Sequence, residues 1–262
     1  VTDPDNNGVS GLEMGLQDKL RKAAANGGAV ATSLDARVQF ILTHEVEEAR
    51  KTFTARAAGG IVMDVNTGEV IAMTSQPDFD PNARNLGPGD SRRNIMAQDV
   101  YELGSVFKIF SFALAFEDHT MHLDEIFQIG QGYKIGKYTI HEAEHMPATL
   151  AARDILAQSS NIGTAQIALR SGGVRQKQFL THMGLLTPVQ TELPEHRQSL
   201  YPANWGPIET ATIAFGQGIS VSPLRFAASA ATIVNGGRQI TPTFVKTDAD
   251  RRGAQLIKPE TS

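Results

Sequence analysis

The chain has 262 residues, of which 41% are hydrophobic and 20% charged, a balance typical of a globular domain with its own core. A net charge of −4 and the lack of a long basic run argue against a nucleic-acid partner. The absence of cysteine excludes disulfides and thiol chemistry, and no apolar run reaches the roughly 18 residues needed to span a bilayer.

The N-terminal third predicts a lead-in followed by a helix and a hairpin. Residues 1–30 are rich in Gly, Asn, Asp and Ala, with one short helix expected near residues 12–25. Asp35 is a plausible N-cap for a helix that extends to about Ala55, because apolar residues recur there at helical spacing. Alternating apolar runs around a turn at Asn66-Thr67-Gly68 predict a hairpin, and residues 76–99 predict a long loop.

Ser105 and Lys108 stand out because they lie in an otherwise apolar segment, residues 105–116. A helix that is apolar on every face belongs in a core. Residues three apart lie on one face of a helix, and a desolvated lysine can act as a base for a neighbouring serine. The alternative is an ordinary helix start with a lysine whose charged end reaches solvent.

The second half of the chain predicts helices separated by polar turns. A helix at residues 150–158 is interrupted by Ser159-Ser160-Asn161, resumes, and is expected to stop at Gly172-Gly173. The triplet is either a plain helix cap or a group of small functional side chains. Gly216-Gln217-Gly218 precedes a further apolar helix at residues 223–234.

Residues 141–145 match the zinc-protease pattern H-E-x-x-H, which requires a helix to point His141 and His145 at one metal. Pro147 disfavours helix at Met146, and the preceding residues favour strand. No glutamate that could serve as a third ligand follows for many residues. A polar loop near the site is therefore the better interpretation, and a zinc hydrolase remains a minor alternative.

Residues 101–108 resemble the first motif of class B penicillin-binding proteins, the monofunctional transpeptidases of bacterial cell-wall synthesis, with a departure at Leu103, where proline is common. Ser159-Ser160-Asn161 resembles the second motif. Longer segments resemble the lead-in, the first hairpin and the regions before the third motif, at residues 11–13, 32–39, 67–82, 215–224 and 235–237. The overall resemblance is to the septal, cell-division type.

This resemblance implies an α/β (α+β) penicillin-binding or serine β-lactamase-like transpeptidase fold, with an antiparallel sheet flanked by helices and an all-helical subdomain. Residues 1–30 would be the end of an N-terminal pedestal or linker, and residues 31–262 a C-terminally incomplete transpeptidase domain. The third motif, Lys-Thr-Gly, is absent; Lys246-Thr247-Asp248 is the nearest string and comes too early. The strands that carry the third motif are expected beyond Ser262.

The resemblance also implies the site. Ser105 would attack the D-Ala-D-Ala bond of a peptidoglycan stem peptide, with Lys108 as base, Ser159 as proton relay and Asn161 as substrate-orienting amide. The implied substrate-binding residues are Gly104, Ser160, Gly216 and Gln217. No metal or organic cofactor is implied.

The expected partners and location follow from the same family. β-Lactams would acylate the serine, and a glycosyltransferase and other division proteins would be partners. The chain would lie at the periplasmic face of the bacterial inner membrane, with its anchor outside this sequence. A catalytically silent scaffold of the division machinery is the main alternative.

Overall fold

The computed structural model describes residues 2–3, 5, 7–80, 92–247 and 249–262. The helices in this part of the chain are α1 Gly11–Gly15, α2 Gln17–Ala25, α3 Ala36–Thr52, α4 Ile95–Gln98, α5 Lys108–Glu117, α6 Ala152–Ala157, α7 Asn161–His182, α8 Pro207–Ala214 and α9 Pro223–Val234. The strands are β1 Ala58–Met63, β2 Val70–Gln76, β3 Ile126–Gln128, β4 Tyr133–Ile135, β5 Tyr138–Ile140 and β6 Thr149–Ala151. They form three two-stranded antiparallel sheets within the described residues, β1–β2, β3–β6 and β4–β5.

The predicted helix after Asp35 and the predicted hairpin are confirmed as α3 and the β1–β2 pair. Asp35 is the N-cap of α3, and its carboxylate accepts hydrogen bonds from the backbone N–H groups of Arg37 (2.8 Å) and Val38 (3.3 Å). The Gln39 side chain then fastens α3 to β2, since its amide both donates to and accepts from the Met73 backbone at 3.0 Å. Of the long loop predicted after β2, residues 81–91 lie outside the described residues.

Helix α5 is the centre of the core, as its all-round apolar sequence predicts. Every residue from Phe110 to Ala115 is buried. Phe112 belongs to a cluster with α6 and the first half of α7, whereas Phe110 belongs to a second cluster with the second half of α7 and α8. Because α5 is shared by both clusters, the packing of both fixes its position.

The predicted boundaries of two helices need correction. The first turn of the helix expected from Ser105 is a 3₁₀ turn, Gly104–Phe107, and the α-helix begins at Lys108. Gly172 interrupts α7 with a φ of 77°, but the helix resumes and ends at His182. Gly172 therefore kinks α7 at the position where the sequence predicts its end. The helix continues beyond the kink because later residues such as Phe179 again pack apolar side chains into the core.

No helix within the described residues is both long and apolar enough to cross a membrane.

We expect Phe110→Ala to lower the free energy of unfolding by about 3–5 kcal/mol. Phe110 is 1% exposed, and its ring packs against Phe107 and Phe226 with centroid distances of 5.2 and 5.6 Å. Denaturant unfolding measures the change. The matched control is Phe53→Ala, because Phe53 is 79% exposed and should cost less than about 0.5 kcal/mol. Equal losses in both variants would contradict this assignment of the core.

Candidate active site

Ser105 and Lys108 lie one turn apart at the start of α5. Gly104 opens the 3₁₀ turn with a φ of 62°. A 3₁₀ turn places residues i and i+3 on the same side, so Ser105 and Lys108 share a face. Ser105 is exposed, whereas Lys108 is only 1% exposed. The structure thus combines an accessible hydroxyl with a buried amine.

The Lys108 ammonium is held by a residue that is distant in sequence. Its Nζ donates to the Ser159 Oγ at 2.8 Å and to the Ser159 backbone carbonyl at 2.5 Å. Burial lowers the pKa of Lys108 to about 8, and the negative charge of Glu142 opposes part of that shift. The neutral amine, which can accept a proton, is therefore far more populated near physiological pH than in an ordinary lysine.

Ser159 occupies a backbone conformation that is unusual for a residue other than glycine. Its φ of 61° places it in the left-handed region, in the turn between α6 and α7. Such conformations persist where the surrounding contacts enforce them, often at functional sites. Here Lys108 donates two hydrogen bonds to the strained residue, one to its carbonyl and one to its hydroxyl.

Ser160 and Asn161 begin α7. Ser160 is the N-cap, is 0% exposed, and its Oγ accepts a hydrogen bond from the Gly163 N–H at 2.9 Å. The same hydroxyl donates to Glu142, so it is occupied by helix capping rather than open to a substrate. Asn161 is half-buried beside it. The Lys108 ammonium donates to Ser159, and within the described residues the Asn161 amide is not among its hydrogen-bond partners.

The glycine-rich segment predicted near the site, residues 216–218, packs against the 3₁₀ turn that contains Ser105. The Gly104 N–H donates to the Gly216 carbonyl at 3.3 Å. A Cβ on Gly216 would come within 2.2 Å of the Gly104 oxygen, and Gly216 has a φ of 80°. Only glycine fits at this position. The Gln217 side chain is exposed, and the Gly218 N–H donates to the Glu102 carboxylate at 2.9 Å.

Glu142 lies at the site, and the sequence interpretation gave it no role there. Residues 141–145 form no helix, and the described residues contain no group of three or more His, Asp and Glu side chains able to hold a metal. The structure therefore contradicts the geometry that a zinc hydrolase needs. Glu142 instead reaches the N-terminus of α7 and accepts from Ser160, Asn161 and Ile162. The carboxylate was visible in the H-E-x-x-H pattern, but nothing local in the sequence connects it to a turn 18 residues away.

Lys246 and Thr247 are not part of this arrangement. The Lys246 ammonium lies 3.1 Å from a Glu69 carboxylate oxygen, and the Thr247 N–H donates to the other oxygen at 2.6 Å. The Lys246 N–H donates to the Ala31 carbonyl. The string nearest to a third motif thus fastens the hairpin to the lead-in; its third residue, Asp248, lies outside the described residues.

The family model for the penicillin-binding protein transpeptidase domain matches residues 58–262. Among curated proteins, the "Probable peptidoglycan D,D-transpeptidase FtsI" of Caulobacter vibrioides is 37% identical over 99% of this chain and 45% of its own length. The "Probable peptidoglycan D,D-transpeptidase PenA" of Neisseria meningitidis is 29% identical over 100% of this chain and 49% of its own length. The chain thus spans about half the length of these curated relatives.

Solved structures agree. A crystal structure of a peptidoglycan glycosyltransferase from Burkholderia ambifaria has a TM-score of 0.78 and 29% identity, and the match covers 88% of this chain and 70% of that one. The transpeptidase domain of Burkholderia pseudomallei penicillin-binding protein 3 also has a TM-score of 0.78, at 28% identity over 88% of this chain and 66% of that one. The predicted α/β penicillin-binding fold is confirmed, and the chain belongs to the penicillin-binding protein transpeptidase domain family.

Proposed function

We propose that the protein carrying this chain is a serine-type peptidoglycan D,D-transpeptidase that acts in septal cell-wall synthesis. The observation that carries the proposal is the contact between the buried Lys108 ammonium and Ser159, one turn after the exposed Ser105 on the same face. A nucleophile, a base with a lowered pKa and a second hydroxyl are the groups that acyl transfer through a serine ester needs. The names of the FtsI and PenA relatives support the same activity.

In the first half-reaction, the Ser105 hydroxyl attacks the carbonyl between the two terminal D-alanines of a stem peptide. Neutral Lys108 accepts the hydroxyl proton, directly or through the Ser159 hydroxyl that it contacts. The C–N bond then breaks, the proton passes through Ser159 to the departing D-alanine amine, and an ester remains on Ser105. The Ser105 N–H, at the start of a helical turn, supplies one oxyanion donor.

In the second half-reaction, an amine from a neighbouring stem peptide attacks the ester. It loses a proton to the Lys108–Ser159 pair, the new amide C–N bond forms as the ester C–O bond to Ser105 breaks, and the released Ser105 oxygen takes up that proton. Asn161 orients the substrate amide, and the backbone at Gly104, Gly216 and Gln217 borders the binding cleft. Ser160 contributes by holding the turn, because its own hydroxyl is buried.

The remaining assignments follow from family membership. We propose that residues 1–30 end an N-terminal pedestal and that residues 31–262 belong to the transpeptidase domain. A strand with the family's Lys-Thr-Gly motif would supply the second oxyanion donor. A periplasmic location at the inner membrane, and partnership with a glycosyltransferase and other division proteins, complete the proposal.

A fluorescent penicillin tests the function. We expect the full-length protein to form a covalent adduct that mass spectrometry places on Ser105, because β-lactams imitate the D-Ala-D-Ala end. Ser105→Ala should abolish the adduct. Ser111→Ala is the matched control, because Ser111 lies in α5 and its buried hydroxyl donates to the Ala214 carbonyl of α8. A folded full-length protein without an adduct would support a catalytically silent scaffold instead.

The acylation rate should depend on pH through Lys108. Only the neutral amine accepts a proton, and its pKa is about 8. The second-order rate constant should therefore fall about tenfold per pH unit below that value and level off above it. Stopped-flow acylation from about pH 6 to about pH 10 measures the profile. A rate that is flat across this range would show that Lys108 is not the base.

Removing the amine should be more damaging than removing a surface charge. We expect Lys108→Met, which keeps an unbranched apolar side chain in the core, to slow acylation by about 100- to 10,000-fold. Lys22→Met on exposed helix α2 is the control and should leave the rate unchanged. The same penicillin assay measures both variants, and comparable rates would contradict the proposed role of Lys108.

A further inference from the structure

The Glu142 carboxylate makes three hydrogen bonds to the start of α7. One oxygen accepts from the Ser160 hydroxyl at 2.5 Å and from the Ile162 N–H at 3.1 Å, and the other accepts from the Asn161 N–H at 2.7 Å. Glu142 comes from the segment after β5, so it joins a separate part of the chain to this helix. The contacts involve two of the three residues of the Ser159-Ser160-Asn161 turn.

We propose that Glu142 is a positioning residue for the acyl-transfer site: its carboxylate fixes the Ser159–Asn161 turn and its charge acts on the Lys108 ammonium. The inference rests on the proposed transpeptidase function and extends it to a residue outside the two motifs.

The geometric part of the proposal follows from the needs of a helix start. The first N–H groups of a helix have no partner within the helix, and a negative charge there is favoured by the helix dipole. Glu142 accepts from the N–H groups of Asn161 and Ile162, and the Ser160 hydroxyl accepts from that of Gly163. Since Ser160 also donates to Glu142, a single bridged network holds the whole first turn.

The turn is held from two sides. Lys108 holds Ser159 through its hydroxyl and its carbonyl, and Glu142 holds the next three residues. Ser159 itself has a φ of 61°, a conformation that costs energy and needs such support. Without Glu142, the turn can relax toward a more favourable backbone, which would move the Ser159 hydroxyl away from the proton path between Ser105 and Lys108.

The electrostatic part concerns the charge balance around Lys108. Burial in the apolar helix favours the neutral amine, and Glu142 is the charged group that opposes this effect. Within the described residues, the Lys108 amine is hydrogen-bonded to the neutral hydroxyl and carbonyl of Ser159, so Glu142 acts on it through its charge and not through a hydrogen bond. Removal of the Glu142 charge should therefore lower the pKa of Lys108 further. The acidic limb of the pH–rate profile, where acylation slows as the pH falls, should then move to lower pH.

Glu142→Gln tests both parts in the full-length protein. The amide keeps one acceptor oxygen, but its nitrogen cannot accept from a backbone N–H, so at least one of the three contacts is lost and the charge is removed at nearly constant size. We expect acylation by penicillin at its optimal pH to slow on the order of 100-fold, as for a catalytic group displaced by about 1 Å. We also expect the acidic limb to move to lower pH. A loss of rate that is only structural would leave the limb in place and would overturn the proposal.

Two further variants complete the experiment. Glu144→Gln is the matched control, because Glu144 is an exposed glutamate of the same loop, and it should acylate as the wild type does. Glu142→Asp keeps the charge but shortens the reach, so it should acylate more slowly than wild type with its acidic limb largely restored.

Each remaining outcome decides the question. If Glu142→Gln does not unfold cooperatively, it is not properly folded, and Glu142→Asp then provides the test. A wild-type acylation rate in Glu142→Asp would overturn the proposal. A wild-type protein that is not acylated would overturn the proposed function itself. A normally acylated wild type with an unaltered Glu142→Gln variant would overturn only the role of Glu142.

Discussion

The site depends on the burial of one ammonium group. Lys108 belongs to α5, the helix that two core clusters share, so its amine cannot move outward without disturbing both. A charged group in such surroundings is costly unless it is hydrogen-bonded, and the Ser159 hydroxyl and carbonyl meet that need. The same burial lowers the pKa of the amine. The packing of the core and the chemistry of the site are therefore two results of one placement.

The second motif is arranged around that amine. Ser159 faces Lys108, Ser160 points into the protein and caps α7, and Asn161 begins the helix. Each of these three adjacent small polar residues therefore has a different environment. The strained backbone at Ser159 is what separates them, because a regular helical residue there would not direct its hydroxyl and its carbonyl to the same ammonium.

The sequence predicted the elements well where a local pattern determines them. The Asp35 cap, the hairpin and α9 follow from turn residues and apolar spacing, and the apolar context of Lys108 correctly indicated burial. Local patterns could not show that Gly172 kinks α7 without ending it, because the second half of α7 is stabilised by contacts with distant residues. For the same reason Glu142 could not be identified, since its partners are close only in the folded chain.

Ser159 accepts hydrogen bonds from Lys108 through two groups, its backbone carbonyl and its side-chain hydroxyl, and these two groups have different roles. The carbonyl of residue 159 belongs to the backbone, so it can anchor the ammonium whatever side chain is present there. The hydroxyl is then the part of the anchor that a substitution can remove, and in the proposed mechanism it also carries the proton to the departing amine. If the proposed proton path is right, a single substitution of Ser159 would preserve the core and the placement of the lysine but remove the path, and a catalytically silent relative would result.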